Sequence, residues 1–172
     1  MSQGWSKLLD VDLLAQRGEE LEFSIPLGEF PRLAGSAPLQ GQATGGVRFA
    51  REGGLAIAEV RVRATPRLTC QRCLGPVDWP IDSSGRAAIV ATAEEAGRVP
   101  ESLETVLAPE HRISIRDLAE EELLLSWPLV PRHPPSACSV AAGDDDTGSG
   151  PEAEPEQTHK PFEQLSELFR RR

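Results

Sequence analysis

The sequence has no tyrosine, and aromatic residues make up only 5% of its 172 positions. A core built on stacked rings is excluded, so burial must come mainly from Leu, Val, Ile and Ala. Long apolar runs are also missing. Runs such as Ala87 to Ala91 and Leu123 to Leu125 fall far short of the ~20 residues a membrane-spanning helix requires. The first residues, Met1, Ser2, Gln3, Gly4 and Trp5, provide neither a basic start nor an apolar stretch ending in a small-residue cleavage site. No secretory signal is legible there, and the expected location is cytoplasmic. Cysteine is scarce: three residues is an odd count, and a reducing compartment argues against a disulfide framework. There is no G-x-S-x-G elbow, no phosphate-cradling glycine loop and no H-E-x-x-H, so no catalytic residues are expected and the chain reads as a non-enzyme.

Short alternating segments are present. Leu21, Phe23 and Ile25 alternate with Glu20, Glu22 and Ser24, which predicts a strand ended by Pro26. A Gly, Ser, Ala and Pro-rich loop is expected from Ala34 to Gly46. Val47 and Phe49 then flank Arg48, Glu52-Gly53-Gly54 supplies a turn, and Ala58, Val60, Val62 and Ala64 alternate with Glu59, Arg61, Arg63 and Thr65. That is the pattern of an antiparallel hairpin with one buried face and one arginine-bearing face. Further short strands are expected at Arg67 to Thr69, Val77 to Ile81 and Arg86 to Thr92, and residues 93–111 read as an acidic loop. Ser114 three positions before Asp117 resembles a capping box, opening a helix that continues from Leu118 to Trp127 and is stopped by Pro128.

The expected fold class is therefore α+β: an antiparallel β-sheet or partly closed barrel packed against one main helix. Residues 1–142 form that domain. Residues 143–158 are acidic and hold no large apolar side chain, which predicts a disordered linker. In residues 159–172, Phe162, Leu165, Leu168 and Phe169 have helical spacing, which predicts a short docking helix.

Net charge is -9, which taken alone argues against general nucleic-acid binding. The charge is unevenly spread. Residues 144–156 carry six acids and no base, whereas Arg48 to Arg72 holds six arginines against Glu52 and Glu59. Arg48, Arg61 and Arg63 share the outward side of the predicted hairpin, with Arg67 and Arg72 near its continuation, and such a cluster suits bidentate phosphate contacts. The alternative is that outward strand positions simply carry charge and are balanced by nearby acids; no aromatic platform for unpaired bases lies among these arginines. In the helix, Glu122 falls inside the apolar arc of Ile115, Leu118, Ala119 and Leu125. It is either a carboxylate at the stripe's edge, paired with a sheet arginine or reaching solvent, or a partner contact. Glu120 and Glu121 read as solvated. His111 and His159 are isolated in polar surroundings and are expected to be exposed.

Cys70-Gln71-Arg72-Cys73-Leu74-Gly75-Pro76 places two thiols on one tight turn. This spacing serves a zinc knuckle or a dithiol redox pair. A redox pair needs a following helix to lower its thiol pKa, and Gly75-Pro76 leading into a strand leaves no room for one. Cys138, five positions after His133, completes a candidate Cys3His set of Cys70, Cys73, His133 and Cys138 for a structural zinc. Buried thiols without metal remain the alternative.

The order of these features resembles a known family. Thr69-Cys70-Gln71-Arg72-Cys73-Leu74-Gly75-Pro76-Val77 looks like its C-x-R-C turn. Asp117-Leu118 through Leu125, then Pro128-Leu129-Val130-Pro131-Arg132-His133 and Cys138, looks like its second block. Lys160-Pro161-Phe162 with Leu165 and Leu168 is similar to its closing block. The resemblance is to the YceD family of large ribosomal RNA subunit accumulation proteins, over roughly residues 40–142 and the last twelve. Some members carry further cysteines after the second block, where this chain has only Cys138.

The family implies a non-enzymatic bacterial factor supporting synthesis, processing or stability of large-subunit (23S) ribosomal RNA. Its expected partners are that RNA or its assembly and processing proteins, with no membrane and no small-molecule substrate. The expected RNA contacts are Arg48, Arg61, Arg63, Arg67 and Arg72; the expected partner contacts are Glu122, Phe162 and Leu165. The rivals are a protein-interaction module binding a nuclease or ribosomal protein, and a zinc- or thiol-dependent enzyme.

Overall fold

The computed structural model describes residues 4–33 and 39–138. The acidic linker and the docking segment, with Phe162, Leu165 and His159, lie outside the described residues. The elements are β1 (Leu9–Asp10), α1 (Val11–Arg17), β2 (Glu20–Pro26), β3 (Gln42–Glu52), β4 (Leu55–Ala64), β5 (Arg67–Thr69), β6 (Pro76–Asp78), β7 (Ile81–Val90), α2 (Ala93–Ala96), β8 (Glu104–Leu107), β9 (Arg112–Ile113) and α3 (Ile115–Ser126).

The main sheet has five strands in the order β2-β3-β4-β7-β8, antiparallel except for the final pair. It is open, not a barrel. Two small ribbons, β1 with β9 and β5 with β6, stand apart from it. The predicted hairpin is β3–β4, with Glu52 opposite Leu55 across Gly53 and Gly54. Both glycines have positive φ, 55° and 87°, the conformation that a two-residue turn matching strand twist requires.

Period-two burial sorts each strand into two faces. Phe23, Ile25, Ala43, Val47, Phe49, Ala56, Ala58, Val60, Val62, Ala64, Ile81 and Ile89 are buried on one face, where they form one cluster with Val11 and Ala15 of α1 and Leu118, Ala119 and Leu123 of α3. Phe49 is fully buried there, and its burial contributes about 2–3 kcal/mol. The opposite face is open to solvent where it carries Arg48, Arg61 and Arg63, whereas Ile57, Ala88 and Val90 on that face are buried.

The capping expectation for α3 holds: the Ser114 hydroxyl accepts from the Asp117 amide at 3.1 Å. Three expectations are corrected. The glycine-rich loop ends earlier than Gly46, because β3 begins at Gln42. Gly45 belongs in that strand because a Cβ there would meet the Arg61 carbonyl oxygen at 1.9 Å, so only glycine lets β4 pass so close. The runs around Ile81 and Arg86 are one strand, Ile81–Val90, whose Ser83, Ser84 and Gly85 break the apolar alternation. Residues 93–111 are not merely a loop: they hold α2 and the parallel edge strand β8. No helix among the described residues is long and apolar enough to cross a membrane.

Candidate functional site

The β5–β6 ribbon exists to make a turn. Thr69 lies opposite Pro76, the Cys70 amide donates to the Gly75 carbonyl at 2.8 Å, and the Leu74 amide donates to the Cys70 carbonyl at 2.9 Å. Leu74 takes a positive φ of 60° to close it. Pro128 ends α3, and the proline-stiffened segment after it returns to this turn, where the Gln71 amide donates to the Pro131 carbonyl at 2.8 Å.

That return brings the second half-site into place. The ligating atoms of Cys70, Cys73, His133 and Cys138 all lie within 4.8 Å of one another. The His133 amide donates to Cys70 Sγ at 3.4 Å, and His133 Nδ1 lies 3.3 Å from Cys73 Sγ. Its other ring nitrogen, Nε2, is 2.9 Å from the Pro76 carbonyl. A carbonyl only accepts, so Nε2 carries a proton, and the neutral ring then turns its Nδ1 lone pair to the sulfurs, the arrangement that orients a metal-binding imidazole. Arg72 Nε donates to Cys138 Sγ at 2.9 Å.

The three cysteines are unpaired by disulfides, Cys70 buried and the others half-buried. Burial pushes the Cys70 thiol up, but the amides of Cys73, His133 and Arg72 outweigh it and bring the thiol down to about 5. The amide of Gly75 lowers the Cys73 thiol, against burial. The Cys70 sulfur raises the His133 imidazole, also against burial and with help from Cys73. Backbone amides converging on sulfur favour thiolate, and thiolate is the form that binds metal. Zn–S bonds of about 2.3 Å and Zn–N bonds of about 2.0 Å separate tetrahedral donor atoms by roughly 3.5–3.8 Å. The four side chains are compatible with such a site in number, type and spacing.

The predicted arginines do not form one surface. Arg48, Arg61 and Arg63 share the open sheet face, whereas Arg67 and Arg72 sit on the β5–β6 ribbon. Arg72 is turned to the thiol cluster and also reaches the His133 and Pro134 carbonyls at 3.5 Å. The open face forms a shallow trough of about 730 Å³ that acids share: Glu20, Glu22, Glu59 and Asp82 lie beside Arg48, Arg61 and Arg63. Arg63 pairs with Asp82 at 3.0 Å, and Arg86 pairs with Glu52 and Glu59. Arg48 and Arg61 make no ion pair among the described residues.

Glu122 is buried at 7% exposure. It accepts a hydrogen bond from the Ser83 hydroxyl and not from a sheet arginine. Two neighbouring expectations are corrected. Glu120 is not solvated: it is 3% exposed and accepts from the Arg32 amide at 2.7 Å. His111 is neither isolated nor fully exposed, lying 3.7 Å from both Asp12 and Glu95, its backbone at a φ of 53°. Single acids and histidines show no period, so only the fold could reveal these contacts.

Residues 58–169 match the family model described as Large ribosomal RNA subunit accumulation protein YceD. A Haemophilus influenzae protein of the same description is 31% identical over 115 residues, covering 66% of this chain and 66% of that one. No solved structure matches the chain. The matched region contains β5, β6, α3 and all four clustered residues, Cys70, Cys73, His133 and Cys138.

Proposed function

The chain belongs to the YceD family, and from that premise we propose that it supports accumulation of large-subunit ribosomal RNA as a non-enzymatic factor that binds an assembly or processing protein. The observation that carries this reading is the charge balance of the open sheet face. Its four arginines, Arg48, Arg61, Arg63 and Arg86, share it with five acids, Glu20, Glu22, Glu52, Glu59 and Asp82, of which Asp82 pairs with Arg63 and Glu52 and Glu59 pair with Arg86. A surface gripping phosphates gains by releasing counterions from uncompensated cations; here carboxylates stand where phosphates would approach. A mixed-charge face suits specific pairing with another mixed-charge protein surface.

The second reading, direct RNA contact, is favoured by Arg48 and Arg61, whose guanidinium groups are free of ion pairs among the described residues. The thiol cluster supports a structural zinc held by Cys70, Cys73, His133 and Cys138. Four protein donors complete a tetrahedron and leave no open position, which favours scaffold over catalysis.

The test is paired. Purified chain is titrated with large-subunit ribosomal RNA fragments at two salt concentrations, and tagged chain is recovered from lysate with and without ribonuclease. The expected outcome is a negligible gel shift at both salts together with co-purifying proteins that survive ribonuclease. A salt-sensitive shift abolished by Arg48→Ala with Arg61→Ala, and loss of every partner on ribonuclease treatment, would establish the RNA reading instead.

A further inference from the structure

The groove between α3 and the β7–β8 edge contains a feature the sheet face does not: a buried acid that makes no ion pair among the described residues. Its volume is about 320 Å³ and its walls are Val60, Val106, Leu118 and Leu125, with Glu121 and Glu122 on the helix side. That is the small end of the range for ligand pockets, about 300–1,000 Å³, enough for one or two side chains.

Glu122 is 7% exposed and its one partner among the described residues is the Ser83 hydroxyl. An ionised carboxylate has about four acceptor sites; the Ser83 hydroxyl fills one at Oε1, and the side chain lines the groove with capacity for a further donor. Buried charges are normally paired. The one cation among the groove's lining residues, Arg86, is held by Glu52 and Glu59, and Glu121 is occupied by Arg32. Beside this acid, Leu125 is 70% exposed. Glu104 and Thr105 of the outermost strand β8 form the far rim, and that strand's outer backbone groups are unpaired within the sheet.

We propose that this groove docks a basic peptide segment of a partner protein, an arginine or lysine pairing with Glu122 while a neighbouring aliphatic side chain packs on Leu125 and Val106. The inference rests on the protein-binding reading above and specifies its partner's chemistry. Charge complementarity argues for this occupant: three acids, Glu104, Glu121 and Glu122, line the groove against one cation, Arg86. An extended segment lying along β8 would also gain main-chain hydrogen bonds from the open edge.

The test uses the full chain and a fluorescently labelled peptide with a Leu-Arg-Leu core, followed by anisotropy, against a counterpart with a Leu-Glu-Leu core. The arginine peptide is expected to bind and the acidic one not to bind. Glu122→Gln, which keeps shape and the Ser83 contact, should weaken binding about tenfold or more, as should Leu125→Ser at an exposed position. Equal affinity for both peptides, unchanged affinity in either variant, or no binding of the arginine peptide overturns the proposal. So does a dimer of the chain that Leu125→Ser dissociates, since the groove would then hold a second copy. Lysate recovery is run in parallel: ribonuclease-resistant partners retained by Glu122→Gln would sink the groove alone, whereas no such partner for the unmodified chain would sink the underlying reading too.

Discussion

Gly85 lies directly beneath the carboxylate of Glu122: a Cβ at that position would stand 2.0 Å from Oε2. The missing side chain in β7 is what allows an acid of α3 to lie on the sheet and reach Ser83. Gly85→Ala should push the carboxylate off the strand and cost about 1–3 kcal/mol, read by urea denaturation. Adding Glu122→Ala should return part of that loss, because the two changes act on one contact and are non-additive. Strictly additive effects would show that the contact is not shared.

Metal analysis of the purified chain should find one zinc per molecule. Cys73→Ser or His133→Ala should each abolish that stoichiometry, and chelation should lower the thermal midpoint of the unmodified chain while leaving the Cys73→Ser chain unmoved.

In the reduced, metal-free chain, Cys70 contributes a pH-dependent stability of defined sign. Its thiol falls from an ordinary 9.0 to about 5 on folding. Between those values the unfolded state binds more protons, so this contribution is fully present above about pH 9 and is lost as pH falls through about 5. Cys73, also lowered, acts in the same direction. His133, raised, acts oppositely: its contribution is present below its ordinary 6.5 and is lost as pH rises through its raised value. Denaturation at several pH values should show the thiol slope, and Cys70→Ser should flatten it.

Phe49→Ala should cost about 3–5 kcal/mol by urea denaturation, the toll of emptying a fully buried ring site between β3 and α1. Asp82→Ala should cost under about 1 kcal/mol, because its pair with Arg63 is exposed on both sides. Comparable losses in the two variants would contradict the division into a buried and an open face.

What the sequence disclosed depended on redundancy of signal. The β3–β4 hairpin repeats its alternation many times around two glycines and was legible. The cluster of thiols and imidazole was legible because Cys70, Cys73 and Cys138 are all the cysteines there are, with His133 five positions from the last. Helix α1 was not legible: it spans seven residues, and its definition comes from caps, Asp10 accepting from the Leu13 amide and Gly18 in the left-handed conformation. β8 was hidden because four residues at a parallel edge carry too little alternation. Arg72 looked like part of a phosphate-binding row, yet one turn's geometry aims it at Cys138 instead.

The knuckle joins positions far apart in the chain, since Cys73 and His133 are 60 residues apart. A metal ion bridging them would close a ring containing β6, β7, β8 and α3. Fixing a ring of that size restricts the unfolded ensemble by about 4 kcal/mol on the loop-closure relation used for cross-links. The bond would therefore act less on the folded molecule than on its alternatives, so that removing the ion gives the second half of the sheet more ways to come apart without altering one apolar contact within it.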